Sequence, residues 1–315
     1  MTDQEFVAMQ KSTAVRSRHI PARVRLLRPA LATLSAVAPS LAASVAERMF
    51  LTAPRYPQPE HEAAALVPAR VTTIDAGAPI TAWTWGHGPA ILLVHGWGGR
   101  GAQLASFVPP LVAAGYSVVT FDAPGHGRSR LRRSSLVAFV EAIHAVTRAL
   151  GPVRGVIAHS IGAAAAACAL RDGLGADAAV FLAPPADLTL HADIMLEALG
   201  FGRQARTLMR ARIEHRLGVP WSTLDVAGFA PRMRTRLLVV HDREDTEVPW
   251  QEGASIAQAW PDATLSTTSG LGHRRLLRDR EVVRETVTFL LGQLSWRRRP
   301  ARTPEPEPVI ASSVA

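Results

Sequence analysis

Short apolar segments alternate with helix-like segments from residue 71 to residue 292 of this chain. Runs rich in Val, Ile and Leu predict strands at 71–75, 81–85, 90–94, 117–121, 153–158, 178–182, 236–241 and 263–267. Helices are predicted between the later strands, at 102–114, 134–150, 161–171, 251–260 and 281–292. This alternation favours an α/β fold with a mostly parallel eight-stranded sheet and helices on both faces. The first two strands are joined by a short turn and begin as an antiparallel pair.

A long insertion separates the strands predicted at 178–182 and 236–241, and one crossover helix would need far fewer residues. Residues 188–232 are therefore predicted to form a small helical lid, with helical stretches near 192–200 and 203–217. Lids shape a pocket and exclude water, so this insertion is expected to influence substrate choice. The apolar lid residues predicted to line a substrate pocket are Met195, Phe201, Leu190, Ile194, Leu199 and Leu208.

Both ends of the chain differ from this central region. Residues 1–70 are predicted to form an N-terminal helical extension and a proline-rich connector, and residues 293–315 a disordered tail. The extension carries an apolar stripe, interrupted at Pro39, of Leu31, Leu34, Val37, Leu41, Val45 and Met49. We expect the stripe to pack on the main domain. Peripheral docking on a membrane and an export or membrane-spanning segment are the alternatives.

Charge and cysteine content restrict the classes of partner and location. The formal net charge is +9, with arginines clustered near both ends of the chain. No nucleic-acid recognition motif accompanies these clusters, so we expect no nucleic-acid partner. Cys168 is the single cysteine, which excludes an intramolecular disulfide and favours a cytoplasmic protein, with membrane association left open.

The stretch VHGWGGRG at 94–101 permits two incompatible interpretations. Gly96, Gly98 and Gly101 fit the G-x-G-x-x-G pattern of dinucleotide-binding folds, and Asp122 lies where such folds place an acid for the ribose. A dinucleotide fold would usually open directly with this turn, whereas here an antiparallel strand pair precedes it. The alternative is a loop that presents backbone N–H groups to an oxyanion, which predicts a nucleophile and no cofactor.

The stretch VIAHSIGAAAAACALR at 156–171 favours the second interpretation. An apolar strand runs directly into His-Ser-Ile-Gly and then into a helix of small residues. A nucleophile elbow needs this arrangement, because the tight turn exposes Ser160 and small neighbours let strand and helix approach. Glycine is usual at position 158, where this chain has Ala158. His159 flanks the serine and is a candidate pocket residue.

Two later strands are followed by acids and by a histidine. The segment LLVVHDREDTEVP leads into Asp245, and TTSGLGHRRLL carries His273. Together with HGWGG, FDAPGHGRS and AHSIG, these segments resemble the α/β-hydrolase superfamily over residues 70–292, including its order Ser, Asp, His. The resemblance implies an α/β-hydrolase domain, placed here at 71–292.

The resemblance also implies a serine-hydrolase mechanism that needs no cofactor and no metal. Ser160 would attack an acyl carbonyl, His273 would move the proton, and Asp245 would orient the imidazole. Backbone N–H groups of Trp97 and Ile161 would form the oxyanion hole. Other acids that could take the place of Asp245 are Asp187, Asp242, Glu244 and Glu247. The histidines expected to be structural are His95, His126 and His241.

The expected function is hydrolysis of a small carboxylic ester or thioester with an apolar acyl group. C–C bond hydrolases, lipases, amidases and acyltransferases share the same set of catalytic residues and remain alternatives within the enzyme class. A catalytically silent binding protein is the alternative from another class, because a fold does not fix a function.

Overall fold

The computed structural model describes residues 26–295, which are built around one eight-stranded sheet. The strands are Arg70–Asp75 (β1), Pro79–Trp85 (β2), Ala90–Val94 (β3), Ser117–Phe121 (β4), Val153–His159 (β5), Ala178–Leu182 (β6), Arg236–Asp242 (β7) and Ala263–Thr268 (β8). Their order across the sheet is β1-β2-β4-β3-β5-β6-β7-β8. The pairs β1–β2 and β2–β4 are antiparallel, and all others are parallel. The predicted fold class is therefore confirmed.

Helices follow most of the parallel strands. The α-helices of residues 26–295 are Arg28–Val37 (α1), Pro39–Phe50 (α2), Glu60–Leu66 (α3), Val108–Ala113 (α4), Leu136–Leu150 (α5), Ile161–Arg171 (α6), Leu188–Ala198 (α7), Arg203–Leu217 (α8), Val226–Phe229 (α9), Trp250–Ala259 (α10), Gly272–Arg275 (α11) and Arg280–Ser295 (α12). The helix predicted at 102–114 is split into a 3-10 helix, Gly101–Phe107, and α4. Pro109 and Pro110 lack the backbone N–H that a continuous helix would need at these positions. They are tolerated in the first turn of α4, where the N–H has no partner within the helix.

The sheet has an apolar layer on each face, because alternate residues of each strand point to opposite sides. In β3, Leu92 and Val94 belong to the layer that contains α5 and α6, whereas Ile91 and Leu93 belong to the layer that contains α12. Burying each such side chain contributes about 1.5–3 kcal/mol. Cys168 of α6 is buried in the first layer, as expected of a small apolar residue, and burial raises the pKa of its thiol to about 12.

The insertion between β6 and β7 is helical, and it packs on the N-terminal helices. Residues of α7 and α8 form with α1 and α2 a third apolar cluster, separate from the two layers of the sheet. Its buried members include Leu31, Ala42, Ala43, Ala46, Leu196, Phe201, Met209, Ile213 and Trp221. We call α1, α2, α7 and α8 together the helical cover.

The buried face of α1 and α2 differs from the predicted stripe. Leu31 is buried, but the side chains of Val37 and Leu41 are 75% and 56% exposed. Ala42, Ala43 and Ala46 are completely buried instead. Small side chains let two helices approach closely, so the alanine face of α2 contacts α8. The other stripe residues, Leu34, Val45 and Met49, are half-buried against the same cluster. The break before Pro39 lies where the sequence predicts it.

The remaining predictions about the chain ends concern residues that the structure mostly leaves undescribed. The arginine-rich ends and most of the predicted disordered tail fall within 1–25 and 296–315, outside the described residues. The tail was placed too early, because α12 continues to Ser295. The domain limits at 70 and 292 stay predictions.

Candidate active site

Ser160 lies in the turn between β5 and α6, at the carboxyl end of the parallel strands. Its backbone has φ 54° and ψ −129°, a conformation that a residue with a side chain rarely adopts and that costs about 1–3 kcal/mol. The Ser160 N–H donates to the carbonyl oxygen of Leu182 at 2.9 Å, which fixes the turn to β6. A Cβ atom at Gly162 would overlap the carbonyl oxygen of His95, so only glycine lets α6 come this close to the neighbouring loop.

His273 connects the serine to a carboxylate. Its Nε2 lies 3.0 Å from Ser160 Oγ, and its Nδ1 lies 2.7 Å from Asp245 Oδ2. The serine hydroxyl can therefore donate to Nε2 while the Nδ1–H donates to the carboxylate. His273 and Asp245 are both buried, whereas Ser160 borders open space. The structure thus brings together the three residues that the sequence predicts as catalytic.

Asp245 is held by both of its oxygens. Oδ1 accepts from the backbone N–H groups of Glu247 at 2.8 Å and Val248 at 2.9 Å, which leaves Oδ2 for His273. Burial by itself raises the pKa of Asp245, but hydrogen bonds from His241 and His273 outweigh burial and leave the pKa below its ordinary value. The carboxylate is consequently ionised at neutral pH and acts as an acceptor.

Asp242 ends β7 but contacts loops instead of the histidine. Its carboxylate accepts from Thr268 Oγ1 at 2.7 Å and from the N–H groups of Leu271 at 2.9 Å and Glu244 at 3.0 Å. These bonds join the loop after β7 to the loop after β8. Burial alone would raise the pKa of Asp242. These hydrogen bonds lower the pKa by more than burial raises it, so the net shift is downward. Asp242 therefore supports the loops that carry Asp245 and His273.

The other alternative acids also have partners of their own. Asp187 caps α7 by accepting from the N–H groups of Thr189 and Leu190 at 2.8 and 3.1 Å. Glu244 accepts from Ser269 Oγ, and Glu247 pairs with Arg274. The carboxylate that accepts the His273 ring N–H is that of Asp245.

The glycine-rich loop after β3 lies beside Ser160, since a Cβ atom at Gly96 would be 3.0 Å from Ser160 Cβ. Residues 96–99 form a turn in which the Gly99 N–H donates to the Gly96 carbonyl at 3.0 Å, and Gly98 has φ 68°. The hydrogen bonds of the described residues include none donated by the backbone N–H of Trp97 or of Ile161. Both residues border the open space at the site, so these donors are available to an anionic oxygen.

Asp122 has a structural role, which argues against the dinucleotide interpretation. Its carboxylate accepts from the N–H of Gly101 at 2.9 Å and from the N–H of Arg128 at 2.7 Å. It therefore joins the glycine-rich loop to the loop after β4. His95 supports the same junction, because its Nε2 accepts from the Ala123 N–H at 3.0 Å. Burial lowers the pKa of His95 to about 4, so its ring is neutral.

Three further histidines pack around the site. His126 donates to the carbonyl oxygen of Pro124, and burial lowers its pKa to about 3. His241 donates to the carbonyl oxygen of Val248, beside Asp245. His159 donates to the carbonyl oxygen of His273 at 2.9 Å, and burial lowers its pKa as well. His95, His126 and His241 are thus part of the buried framework, as expected.

Two neighbouring cavities near Ser160 differ in chemistry. The first has a volume of about 320 Å³ and is lined by Ser160, His273 and His159, with polar neighbours; we call it the vestibule. The second has a volume of about 840 Å³, lies under the helical cover and has Ile161 in its lining; we call it the apolar cavity. The residues that line both cavities are Pro54, Trp97, Glu247 and Arg274.

The lining of the apolar cavity differs in part from the prediction. Met195 and Leu199 line it, but Phe201 is 1% exposed and packs inside the third apolar cluster, so its assignment to the pocket is wrong. Leu208 also packs on this cluster and is absent from the lining, as are Leu190 and Ile194. Phe201 is so completely enclosed by the cluster that it has no surface left for the cavity, whereas Leu199 and Trp221 contact both.

Several lining residues were missed by the sequence interpretation. The cavity is also lined by Met49, Phe50, Leu51, His191, Leu217 and Trp221. Met49 belonged to the predicted apolar stripe. The periodicity of that stripe indicates that the residue is buried, but it does not indicate whether the residue lines a pocket. The partner of His191 is equally hidden in the sequence: its Nε2 lies 2.7 Å from Oε1 of Glu252, a residue of α10.

Metal sites and membrane-spanning helices are both absent from the part of the chain that the structure describes. Within residues 26–295, no group of three or more His, Cys, Asp or Glu side chains has a geometry that could hold a metal ion. Over the same residues, no helix is both long and apolar enough to cross a membrane.

Known proteins resemble this chain in sequence and in fold. The model of the alpha/beta hydrolase family matches residues 91–285. A stretch of 46 residues is 46% identical to the pimeloyl-[acyl-carrier protein] methyl ester esterase of Methylococcus capsulatus. That stretch covers 15% of this chain and 18% of the esterase, so the match spans less than a fifth of the relative's length.

Solved structures resemble the chain over a larger part of its length. Est1E from Butyrivibrio proteoclasticus has a TM-score of 0.58 at 18% identity, over 71% of this chain and 99% of Est1E. An esterase from Exiguobacterium antarcticum has a TM-score of 0.55 at 15% identity, over 70% and 99%. A meta-cleavage product hydrolase from Pseudomonas fluorescens has a TM-score of 0.52 at 19% identity, over 70% and 97%. At these identities the likeness is one of fold alone.

Proposed function

The chain belongs to the alpha/beta hydrolase family, and from that premise we propose that it is a serine hydrolase that cleaves a carboxylic ester or thioester. The observation that carries the proposal is the continuous hydrogen-bond chain from Asp245 through His273 to Ser160. It ends on a serine whose strained backbone exposes the hydroxyl to open space. Stored strain of this kind is concentrated at functional sites.

Acylation of the serine is the first half of the proposed reaction. Ser160 Oγ attacks the acyl carbon, and its proton passes to His273 Nε2, 3.0 Å away. The carbonyl oxygen becomes an oxyanion that accepts from the N–H groups of Trp97 and Ile161, each worth about 3–4 kcal/mol. When the intermediate collapses, the bond to the leaving group breaks, and the alcohol or thiol departs with the proton from His273.

Deacylation regenerates the enzyme. A water molecule attacks the acyl carbon while His273 Nε2 accepts its proton, and the acid leaves as Ser160 Oγ regains a proton. Asp245 has the same role in both halves: it holds the Nδ1–H tautomer and stabilises the cationic ring. Its downward-shifted pKa suits that role, because the carboxylate stays ionised while the ring gains and loses its proton.

The proposed substrate is a small ester or thioester with an apolar acyl group. Support comes from the apolar cavity, which begins at Trp97 and Ile161 and has Met195 and Leu199 in its lining. Its volume of about 840 Å³ lies within the range of roughly 300–1,000 Å³ found for small-molecule sites.

The proposal is tested by covalent labelling and by turnover. A fluorophosphonate probe should label the protein at Ser160, and Ser160→Ala should abolish labelling and the hydrolysis of p-nitrophenyl esters while the melting temperature changes little. Ser222→Ala is the matched control, because Ser222 is exposed in the lid and should keep both activities. A wild-type protein with no labelling would instead favour the silent binding protein. Hydrolysis that survives in Ser160→Ala would exclude the mechanism.

The cellular location of the protein follows from other features than its active site. We propose a cytoplasmic location, supported by a single cysteine that is buried. Peripheral membrane contact through the N-terminal segment stays a prediction, and Val37 and Leu41 are the exposed apolar side chains that such contact would bury. Co-sedimentation with anionic lipid vesicles, compared with Leu41→Ser, measures it.

A further inference from the structure

The apolar cavity has two walls that come from distant parts of the chain. One wall consists of the end of α2 and the residues that follow it, Met49, Phe50, Leu51, Thr52 and Pro54. The opposite wall belongs to the lid, Leu188, Ala192, Met195, Leu199, Leu217 and Trp221. Trp97 and Ile161, whose N–H groups are the proposed oxyanion donors, line the same cavity.

We propose that residues 49–54 form one wall of the acyl-binding site, so that the acyl chain lies between the N-terminal segment and the lid. The proposal rests on the proposed function, because it assigns the acyl side of the same ester. It makes Phe50 a determinant of which acyl chains the enzyme accepts. The ligand class is a hydrocarbon acyl group larger than acetyl.

The first support is that this wall is fixed to the lid. The ring of Phe50 stacks on Trp221, with centroids 5.4 Å apart and an interplanar angle of 29°. One turn earlier in α2, the buried carboxylate of Glu47 pairs with Arg216 of α8 at 2.7 Å. Aromatic pairs contribute about 0.5–1.5 kcal/mol beyond their area burial. The two walls are therefore joined directly at the far side of the cavity.

The second support is that the wall is also fixed to the main domain. The carbonyl oxygen of Leu51 accepts from the backbone N–H of Ser134 at 2.8 Å. Further along, the Arg55 guanidinium donates to the carbonyl oxygens of Ser129 and Leu131 at 2.8 and 2.6 Å. A segment attached on both sides presents a defined surface, and preorganised contacts lose little entropy when a ligand binds.

The third support is the division of the site into two chemically different spaces. The vestibule holds Ser160 and His273, and it is bordered by polar side chains that include Gln103 and Arg278. Because Trp97 lines both spaces and Ile161 lines the apolar one, an acyl chain in the apolar cavity leaves the vestibule to the leaving group and to water. A hydrocarbon chain gains about 0.8 kcal/mol per buried CH₂ in the apolar space.

The wall lies outside the part of the chain that the family model matches. That match begins at residue 91, after the wall has ended. The family assignment therefore does not by itself imply a role for residues 49–54, and the proposal stands on the contacts of these residues.

The experiment measures kcat/KM of the full chain for p-nitrophenyl acetate, butyrate, octanoate and dodecanoate. Phe50→Ala should lower kcat/KM for octanoate and dodecanoate by about 10-fold or more, since a contact in an apolar pocket is worth roughly 10- to 200-fold. The acetate, which is too short to reach the wall, should change by less than about twofold. Leu41→Ala is the matched control on the outer face of α2 and should leave the whole series unchanged.

A second measurement separates this inference from the proposed function. The affinity of octanoate for the Ser160→Ala protein is measured by calorimetry, with and without the additional Phe50→Ala substitution. The Phe50→Ala substitution should raise the dissociation constant of octanoate about 10-fold. If the wild type hydrolyses no ester in the series but octanoate binds in this Phe50-dependent way, the proposed ester hydrolysis is contradicted. The assignment of residues 49–54 to the acyl-binding wall is then still supported. An equal loss for all chain lengths, or no loss in a Phe50→Ala protein of native melting temperature, overturns the wall. If Phe50→Ala does not fold, Met49→Ala replaces it under the same criteria.

Discussion

The strand-end loops that carry Ser160, Asp245 and His273 are held by different forces from the helical cover above them. In the loops, Asp242, Asp245 and Asp122 each accept two or more hydrogen bonds, so direction and distance are fixed. In the cover, apolar contacts dominate, and they depend on volume and little on direction. The site is thus determined by hydrogen-bond geometry, and the cover by packing.

This difference predicts different consequences of mutation. A change in a loop alters the position of a reacting atom, and a misplacement of about 1 Å can cost about 10²-fold in rate. A change in the cover alters cavity shape and stability, but leaves the reacting atoms in place. Loop variants should therefore lose kcat, whereas cover variants should change substrate preference or the free energy of unfolding.

The largest expected effect separates the two aspartates at the end of β7. Asp245→Asn should lower kcat by up to about 10⁴-fold, because an amide that donates towards Nδ1 selects the wrong tautomer of His273. Asp242→Asn should lower kcat much less and should mainly destabilise the loops. If the asparagine NH2 group takes the place of Oδ2, two donors face each other, the NH2 group and the Leu271 N–H. Steady-state kinetics and thermal unfolding of both variants measure the difference. A collapse of kcat in Asp242→Asn with an active Asp245→Asn would reverse the assignment.

A smaller effect is expected in the cover. Ala43→Leu should reduce the free energy of unfolding by about 1–3 kcal/mol, because Ala43 is fully buried in the third apolar cluster and has no space for three more carbons. Ala36→Leu is the matched control on an exposed position of α1. Denaturant unfolding gives both values, and p-nitrophenyl acetate hydrolysis should stay native in both. A lost acetate activity in Ala43→Leu would show that cover and loops are coupled.

The smallest expected effect concerns His191, which joins the cover to the main domain. Burial lowers the pKa of His191, but the carboxylate of Glu252, with smaller contributions from Asp187 and Asp245, outweighs burial and leaves the pKa above its ordinary value of 6.5. The stabilisation from this pair is therefore complete below about pH 6.5. It is lost as the pH rises through the folded-state pKa.

Unfolding measured from about pH 6 to pH 9 tests this linkage. Wild-type stability should fall with rising pH more steeply than that of His191→Gln, in which no proton is lost. His215 of α8 provides a control, because His215→Gln changes a histidine with no carboxylate partner among the ion pairs of the described residues. Parallel profiles for wild type and His191→Gln would contradict the expected role.

The loops were predictable from the sequence because local order determines them. The central strands β3, β5, β6 and β7 are apolar runs, and the loops that follow β5, β7 and β8 meet at one edge of the parallel strands. His-Ser-x-Gly followed by alanines specifies a close strand–helix turn, and Gly162 shows why. Asp245 was preferred to Asp242 because the segment LLVVHDREDTEVP resembles the family, and the hydrogen bond between Asp245 and His273 agrees with that choice.

The cover was not predictable in the same way, because its contacts join residues far apart in the chain. Periodicity indicated that α1 and α2 have an apolar face, but it included Val37 and Leu41, which are exposed. The structure buries Ala42 and Ala46 against α8, since closeness of approach gains more contact there than side-chain size. Phe201 was misassigned because the sequence does not show that it is enclosed on all sides within the cover.

The distance along the chain between the two halves of the cover has a consequence for the order of events during synthesis. Arg212 of α8 donates to Ser44 of α2, and these residues are 168 positions apart. At ~5–20 residues per second, α2 leaves the ribosome roughly ten to thirty seconds before its partner. By the time α8 has been made, Ser160 and the strands β3, β5 and β6 are complete, whereas β7 and β8 are still to follow. The alanine face of α2 therefore has to wait for α8 before it can be buried, and the cavity cannot be enclosed before then.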